Sequence, residues 1–232
     1  MPDLNWSKNA IASIGPNGQS NFTNARESEE STASDVNSTG TNTVACGFTR
    51  NSGRGGASFG FRRSYYGFDF TGYTTGTISN LALHYTPTTS SSNTLSVRLA
   101  QFVGFGEELG SNYTDNNWWD EIADPLVPYS NAFNSADNTT PADVSLNSTA
   151  ITDAKADGFL KLVLMSAADY NNLNLAVDVT AFTNWNQSSN KTFLRFTYVA
   201  PGYGNAVNAV ASANISNIIT VASANVSSVI GV

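Results

Sequence analysis

The chain is poor in charge, and this poverty excludes more than any motif in it asserts. Lys, Arg, Asp and Glu make up only 12% of 232 residues, about half the share usual in a globular domain. The balance is acidic, with a formal net charge of −7. A nucleic-acid partner, which wants a basic face, is therefore not expected. There is one cysteine, Cys46, and one histidine, His84. A lone cysteine allows no disulfide within the chain, and in the run Val44-Ala45-Cys46-Gly47-Phe48 it reads as a small buried hydrophobe. One histidine and one cysteine far apart in sequence do not support zinc. His84 alternates with Leu83 and Tyr85, which puts it on the outer face of a strand and not in a Ser-His-Asp arrangement. No apolar run approaches the roughly 20 residues of a membrane span, so no membrane partner is expected. The opening Met1-Pro2-Asp3-Leu4-Asn5 has no basic stretch followed by an apolar one, so no signal peptide is read and cytoplasmic folding is the expectation.

Asn, Ser, Thr, Gly and Ala fill the place of the missing charges. With 41% hydrophobic and 11% aromatic residues, there is enough apolar surface for a sizeable interior, and a turn-rich β protein of this length can be a single unit. The central signal is Arg62–Tyr85. Tyr66, Phe68 and Phe70 alternate with Gly67 and Asp69, Gly72 and Gly76 punctuate a turn, and Leu81, Leu83 and Tyr85 alternate again. Period 2 on both sides of a turn is antiparallel β-sheet. Phe59 and Phe61 sit on odd positions whereas Tyr66, Phe68 and Phe70 sit on even ones. That change of phase predicts a β-bulge or break near Arg62-Arg63, with the arginines paired to Asp69 or a neighbouring carboxylate.

Further strands are expected at Thr43–Arg50, at Leu95, Val97 and Leu99, at Val144 and Leu146, and at Val177 and Val179. Leu194, Phe196 and Tyr198 make another. Leu160, Leu162 and Leu164, apolar on both faces except for Lys161, mark the most central strand. Asn51–Gly56 reads as a flexible turn and Pro87–Asn93 as another. The sum is about eight strands, with no helix expected before residue 200. The fold class read is all-β, an antiparallel β-sandwich in a jelly-roll-like order, with a single wide barrel as the alternative. Residues 1–20 form a short N-terminal arm, 21–200 the sandwich and 201–232 a tail. Trp6, Ile11 and Ile14 on the arm need a surface, either their own domain or a neighbour.

The tail carries an 11-residue repeat, Val210–Thr220 followed directly by Val221–Gly231 and closed by Val232. Ile215, Ile218, Val226, Val229 and Val232 step by three or four along it, and eleven residues over three turns is about 3.67 per turn, a nearly straight helical stripe. Its β-branched, Ser- and Asn-rich content is poor for an isolated helix, so it would form only against a partner. An extended form stays open.

Gly104–Pro141 is the longest irregular stretch, and long loops in compact domains are functional or covered. Tyr113, Trp118 and Trp119, with Tyr129, would make a glycan-stacking platform or cap the open end of the sandwich. Glu107, Glu108, Asp115, Asp120, Glu121 and Asp124 crowd the same stretch, but solvated carboxylates do not make a glycosidase pair. Asp115, Asn116, Asn117 and Asp120 lack EF-hand spacing. No catalytic residue, metal site or cofactor is expected.

The run Arg62-Arg63-Ser64-Tyr65-Tyr66-Gly67-Phe68-Asp69-Phe70, followed by Thr77-Ile78-Ser79-Asn80-Leu81, resembles the opening of jelly-roll domains in bacterial surface proteins and tailed-phage virions. Val144–Ile151 and Ala168-Asp169-Tyr170 resemble the second half of the same domain, and the terminal repeat is similar to short tails on phage structural proteins. The resemblance implies a non-enzymatic virion component (capsid decoration, head fibre or tail-adhesion part) made in a bacterial cytoplasm. Its implied partners are other virion proteins and copies of itself, with a trimer expected. The alternative is a carbohydrate-binding or receptor-binding adhesin that takes a cell-surface glycan.

Overall fold

The structure is a computed structural model that describes residues 4–7, 10–14, 20–27, 33–36, 43–90, 95–103, 126–135, 141–186, 191–201, 217–218 and 221–222. In chain order its elements are β1 (Leu4–Ser7), β2 (Ala10–Ile14), α1 (Phe22–Glu27), β3 (Ala33–Val36), β4 (Thr43–Gly53), β5 (Gly56–Asp69), β6 (Thr77–Tyr85), β7 (Pro87–Ser90) and β8 (Leu95–Gln101). There follow β9 (Phe133–Ser135), β10 (Ala142–Ser145), α2 (Ser148–Asp157), β11 (Phe159–Ser166), α3 (Ala167–Tyr170), β12 (Val179–Asn186), β13 (Phe193–Val199), β14 (Asn217–Ile218) and β15 (Val221–Ala222). The expected antiparallel β class is present. One sheet runs β1-β13-β6-β10 and a nine-stranded sheet runs β7-β12-β4-β5-β11-β8-β9, with β2 and β3 attached through β5.

The two sheets face each other across the larger core. Leu81, Leu83, Leu194 and Phe196 come from the small sheet, and Tyr66, Phe68, Val97, Leu99, Leu160, Leu162 and Leu164 from the large one. Among the described residues, Trp185 is the largest fully buried side chain. It stacks on Tyr85 at 4.1 Å between centroids, with Tyr66 and Phe133 at 6.4 and 6.3 Å. Its indole N–H donates to Ser135 Oγ at 3.3 Å, which satisfies the one polar group a buried tryptophan carries.

The large sheet is buried on its other face as well. Phe59, Phe61, Tyr65, Val163 and Met165 pack there with Ala100, Phe102 and, from α1, Phe22 and Ala25. This second core corrects the expected bulge. β5 is one strand of 14 residues, paired without a register shift to β4 over Gly56–Arg62, to β2 over Arg63–Gly67 and to β11 over Ser64–Asp69. Its aromatic residues change parity because both faces are covered: the odd ones enter the second core and the even ones the first. β11 is central, as expected. It pairs with both β5 and β8 and sends Leu160, Leu162 and Leu164 one way and Val163 and Met165 the other.

Four further expectations are corrected. The described strands within 1–20 are not a free arm: Trp6 lies opposite Leu194 in the β1–β13 register and Ile11 opposite Tyr66 in β2–β5, so β1 and β2 belong to the sheets of the body. Pro87–Ser90, expected as turn, pairs with β12. Val177 is 70% exposed and β12 starts at Val179. Among the described residues, three α-helices precede residue 200. Of these, α2 is capped by Asn147, whose side chain accepts from Ala150 N at 3.1 Å, and closed by Gly158 at φ 68°. Such caps set helix ends. The buried stripe of α2 is only Ala150 and Ala154, too slight to stand out as apolar periodicity. In the tail, Asn217–Ile218 pairs antiparallel with Val221–Ala222. These four residues are extended, so a continuous helical stripe does not run through the repeat junction. Ile215, Val226, Val229 and Val232 lie outside the described residues.

Gly76 precedes β6 at φ 80°, and a Cβ there would collide with the Val199 carbonyl oxygen, whereas a Cβ on Gly158 would meet only the Thr71 methyl at 3.3 Å. Gly76→Ala is expected to lower stability by about 1–3 kcal/mol and Gly158→Ala by about 1 kcal/mol. Urea unfolding of the two variants checks the order.

Candidate functional site

Of the residues expected to form a glycan platform, Tyr113, Trp118 and Trp119 lie outside the described residues, as do the carboxylates of 104–125. Tyr129 is described, and it is no platform. It is 2% exposed, its hydroxyl donates to Asp153 Oδ2 at 2.7 Å, and its backbone N–H donates to Leu99 O at 2.9 Å. Burial raises its phenol far above the usual value, and the Asp153 carboxylate adds to the rise. Gln101 Nε2 donates to the same carboxylate oxygen at 3.2 Å. The group ties β8, the 126–130 segment and α2 together, with no open ring face for a sugar.

His84 lies on the outer face of the small sheet, as its alternation required. Its Nδ1 is 2.5 Å from Asp143 Oδ1, and its ring stacks on Phe193 at 4.5 Å. Arg195 Nη1 donates to the other oxygen of Asp143 at 2.7 Å. The register places His84 opposite both Asp143 and Phe193, so the cluster follows from cross-strand pairing. Asp143 is 38% exposed at its side chain and Arg195 34%. Among the described residues no hydroxyl or thiol hydrogen-bonds His84, so the cluster offers a surface ion pair between Arg195 and Asp143 beside a His84–Asp143 hydrogen bond, and not an activated nucleophile.

The arginine pair divides. Arg62 is exposed and Arg63 is buried. Arg63 does not bond Asp69, which instead accepts from Thr71 N at 2.8 Å and Thr71 Oγ1 at 2.7 Å; these bonds hold its carboxyl below the usual value. Arg63 meets Asp169 in a forked pair, Nε to Oδ2 at 2.6 Å and Nη2 to Oδ1 at 2.7 Å. Arg63 is 2% exposed and Asp169 0%. The helices on that side of the sheet complete the group: Arg63 Nη2 donates to Arg26 O at 3.2 Å, Arg26 Nε donates to Asp169 O at 3.1 Å, and Ser166 Oγ accepts from Asp169 N at 3.2 Å. Burial pushes the adjacent Tyr65 hydroxyl up to about 12, with Arg63 opposing and Asp169 adding. The Cys46 thiol is also raised, by burial first and then by Asp169. The arrangement is closed to solvent and anchors α1 and α3 to the large sheet.

An open cleft lies elsewhere, at the N-terminal end of α2. It has a volume of about 250 Å³ and is lined by Arg98, Pro128, Ser130, Asn131, Ser145, Leu146 and Asn147. Among the described residues no group of three His, Cys, Asp or Glu side chains is placed to hold a metal ion.

Removing one member of a buried charge pair strands the other. Arg63→Met and Asp169→Asn are each expected to lower stability by about 3–5 kcal/mol, while the double variant Arg63→Met/Asp169→Leu loses less than the sum; urea titrations of all three decide it. A second expectation concerns pH. The Tyr65 pKa is raised in the folded chain, so its contribution is complete below the unfolded value of 10.0 and is lost as pH rises toward about 12. Stability should fall across that window, and Tyr65→Phe should make the fall shallower, read from unfolding midpoints against pH.

No family model matches the chain, and no curated protein matches it.

Proposed function

We propose that this chain is a non-enzymatic structural component of a bacteriophage virion, a capsid decoration, head fibre or tail-associated part. Its body is a jelly-roll-like sandwich, and residues 201–232 attach it to its neighbours. The observation that carries the proposal is the relation between body and repeat. The described cores draw on residues from Phe22 to Phe196, and the tandem 11-residue repeat follows the last strand of that body. Two consecutive copies of an Ile-, Val- and Ala-rich unit suit contact between like subunits or with another virion protein. Ile215, Ile218, Val226, Val229 and Val232 are the assembly residues, each contributing ~1.5–3 kcal/mol when buried. Trp6, Ile11 and Ile14 are left out of the assembly set, because their strands pair with the body.

A particle protein made in a bacterial cytoplasm needs no disulfide, and the one cysteine is buried and free. The product is a homo-oligomer, with a trimer as the expected form. Deleting residues 206–232 should leave a folded β body by circular dichroism that sediments as a monomer, whereas the full chain sediments as an oligomer. A truncated chain that still assembles overturns the proposal.

A further inference from the structure

Among the described arginines that are buried or half-buried, Arg98 has the least provision for its charge. It lies on β8 with its guanidinium carbon 4.3 Å from the centroid of Tyr170. Stacking on an aromatic face orients a guanidinium and leaves its donors in the plane unused. Its Nε is buried without a hydrogen-bond partner, and among the described residues no carboxylate pairs with it. Four other described arginines that are buried or half-buried each have an acceptor: Arg63 has Asp169, Arg26 the Asp169 carbonyl, Arg50 Asp178 and Arg195 Asp143. A guanidinium oriented by an aromatic face, with in-plane donors that no described acceptor uses, is suited to a forked pair with a carboxylate.

The walls of the cleft say more about what would fill it. Ser130 and Asn147 are already committed. Ser130 Oγ accepts from Leu99 N and donates to Asn131 O, and Asn147 caps α2 while donating to Pro128 O. These two build the cleft. Asn131 and Ser145 are exposed, and no described hydrogen bond uses their side chains, so an amide and a hydroxyl remain to meet a ligand. Pro128 and Leu146 add an apolar margin. The volume of about 250 Å³ falls below the roughly 300–1,000 Å³ of pockets for drug-sized ligands, which suits a single ring.

We propose that this cleft binds an acidic sugar residue, its carboxylate on Arg98 and its hydroxyls on Asn131 and Ser145. The site is separate from the buried Tyr129 and does not depend on the role of the repeat in assembly.

The test is titration of the full chain with D-glucuronate and D-galacturonate, followed by amide chemical shifts, with glucose, acetate and inorganic phosphate as comparison ligands. Shifts should concentrate at residues 98, 128–131 and 145–147, with at least one uronate binding more tightly than all three comparison ligands. Arg98→Gln should weaken uronate binding by about tenfold or more, and Arg98→Lys, which keeps the charge without the fork, by less. Because Arg98 also packs on Tyr170, the exposed double variant Asn131→Ala/Ser145→Ala gives a second reading: it should remove the advantage of the uronate over acetate. Equal binding of glucose, phosphate or acetate overturns the proposal, as does the absence of binding by either uronate or an Arg98→Gln protein that binds unchanged.

Discussion

The forked pair between Arg63 and Asp169 is the constraint on which the layering depends. Two charges with 2% and 0% exposure cost several kcal/mol each to desolvate, and only close geometry with further hydrogen bonds offsets that cost. Here the further bonds come from α1, through the Arg26 carbonyl, and from the start of α3, through Ser166. The pair therefore holds only where strand and both helices are all in place. Arg63 shares a face of β5 with Phe61 and Tyr65, so the same contact that satisfies the charge closes the second core over the sheet.

That second core explains the character of the central strands. In a two-layer sandwich, a strand buries one face and shows alternation; β5 and β11 bury both. β11 is apolar almost throughout, and β5 carries its aromatics first on one parity and then on the other. The outer strands behave differently. β6 and β13 face the main core with Leu81, Leu83, Leu194 and Phe196 and turn His84 and Arg195 outward. Asp143 from β10 joins both, so these charges on the small sheet are gathered into one cross-strand group.

The polar groups of the body divide by what they can still do. Tyr129, Asp153, Ser130 and Asn147 are spent on joining α2 to β8 and the 126–130 segment. That bracing fixes one wall of the adjacent cleft, and Arg98, stacked on Tyr170, lines the same cleft without a carboxylate partner among the described residues. A rigid wall with an oriented cation is the usual arrangement of a small binding site, since little ordering remains for a ligand to impose.

Local pattern alone determined the antiparallel β class, the central place of Leu160, Leu162 and Leu164, the buried Cys46 and the outward His84, because each depends only on which side of a strand a residue falls. It did not determine whether one face or two would be covered, which turned a change of parity on β5 into an expected bulge. Trp185, flanked by Asn184 and Asn186, carried no apolar run to mark it as the centre of the core, and α2, with two alanines as its buried stripe, carried none to mark it as helix. The partners of Arg63 and Arg98 were settled only in three dimensions. Asp169 is 106 residues from Arg63, and Tyr170, the next residue, lies under Arg98 because α3 follows β11 and β11 pairs with β8. Sequence distance conceals such pairs; the order of strands in the sheet creates them.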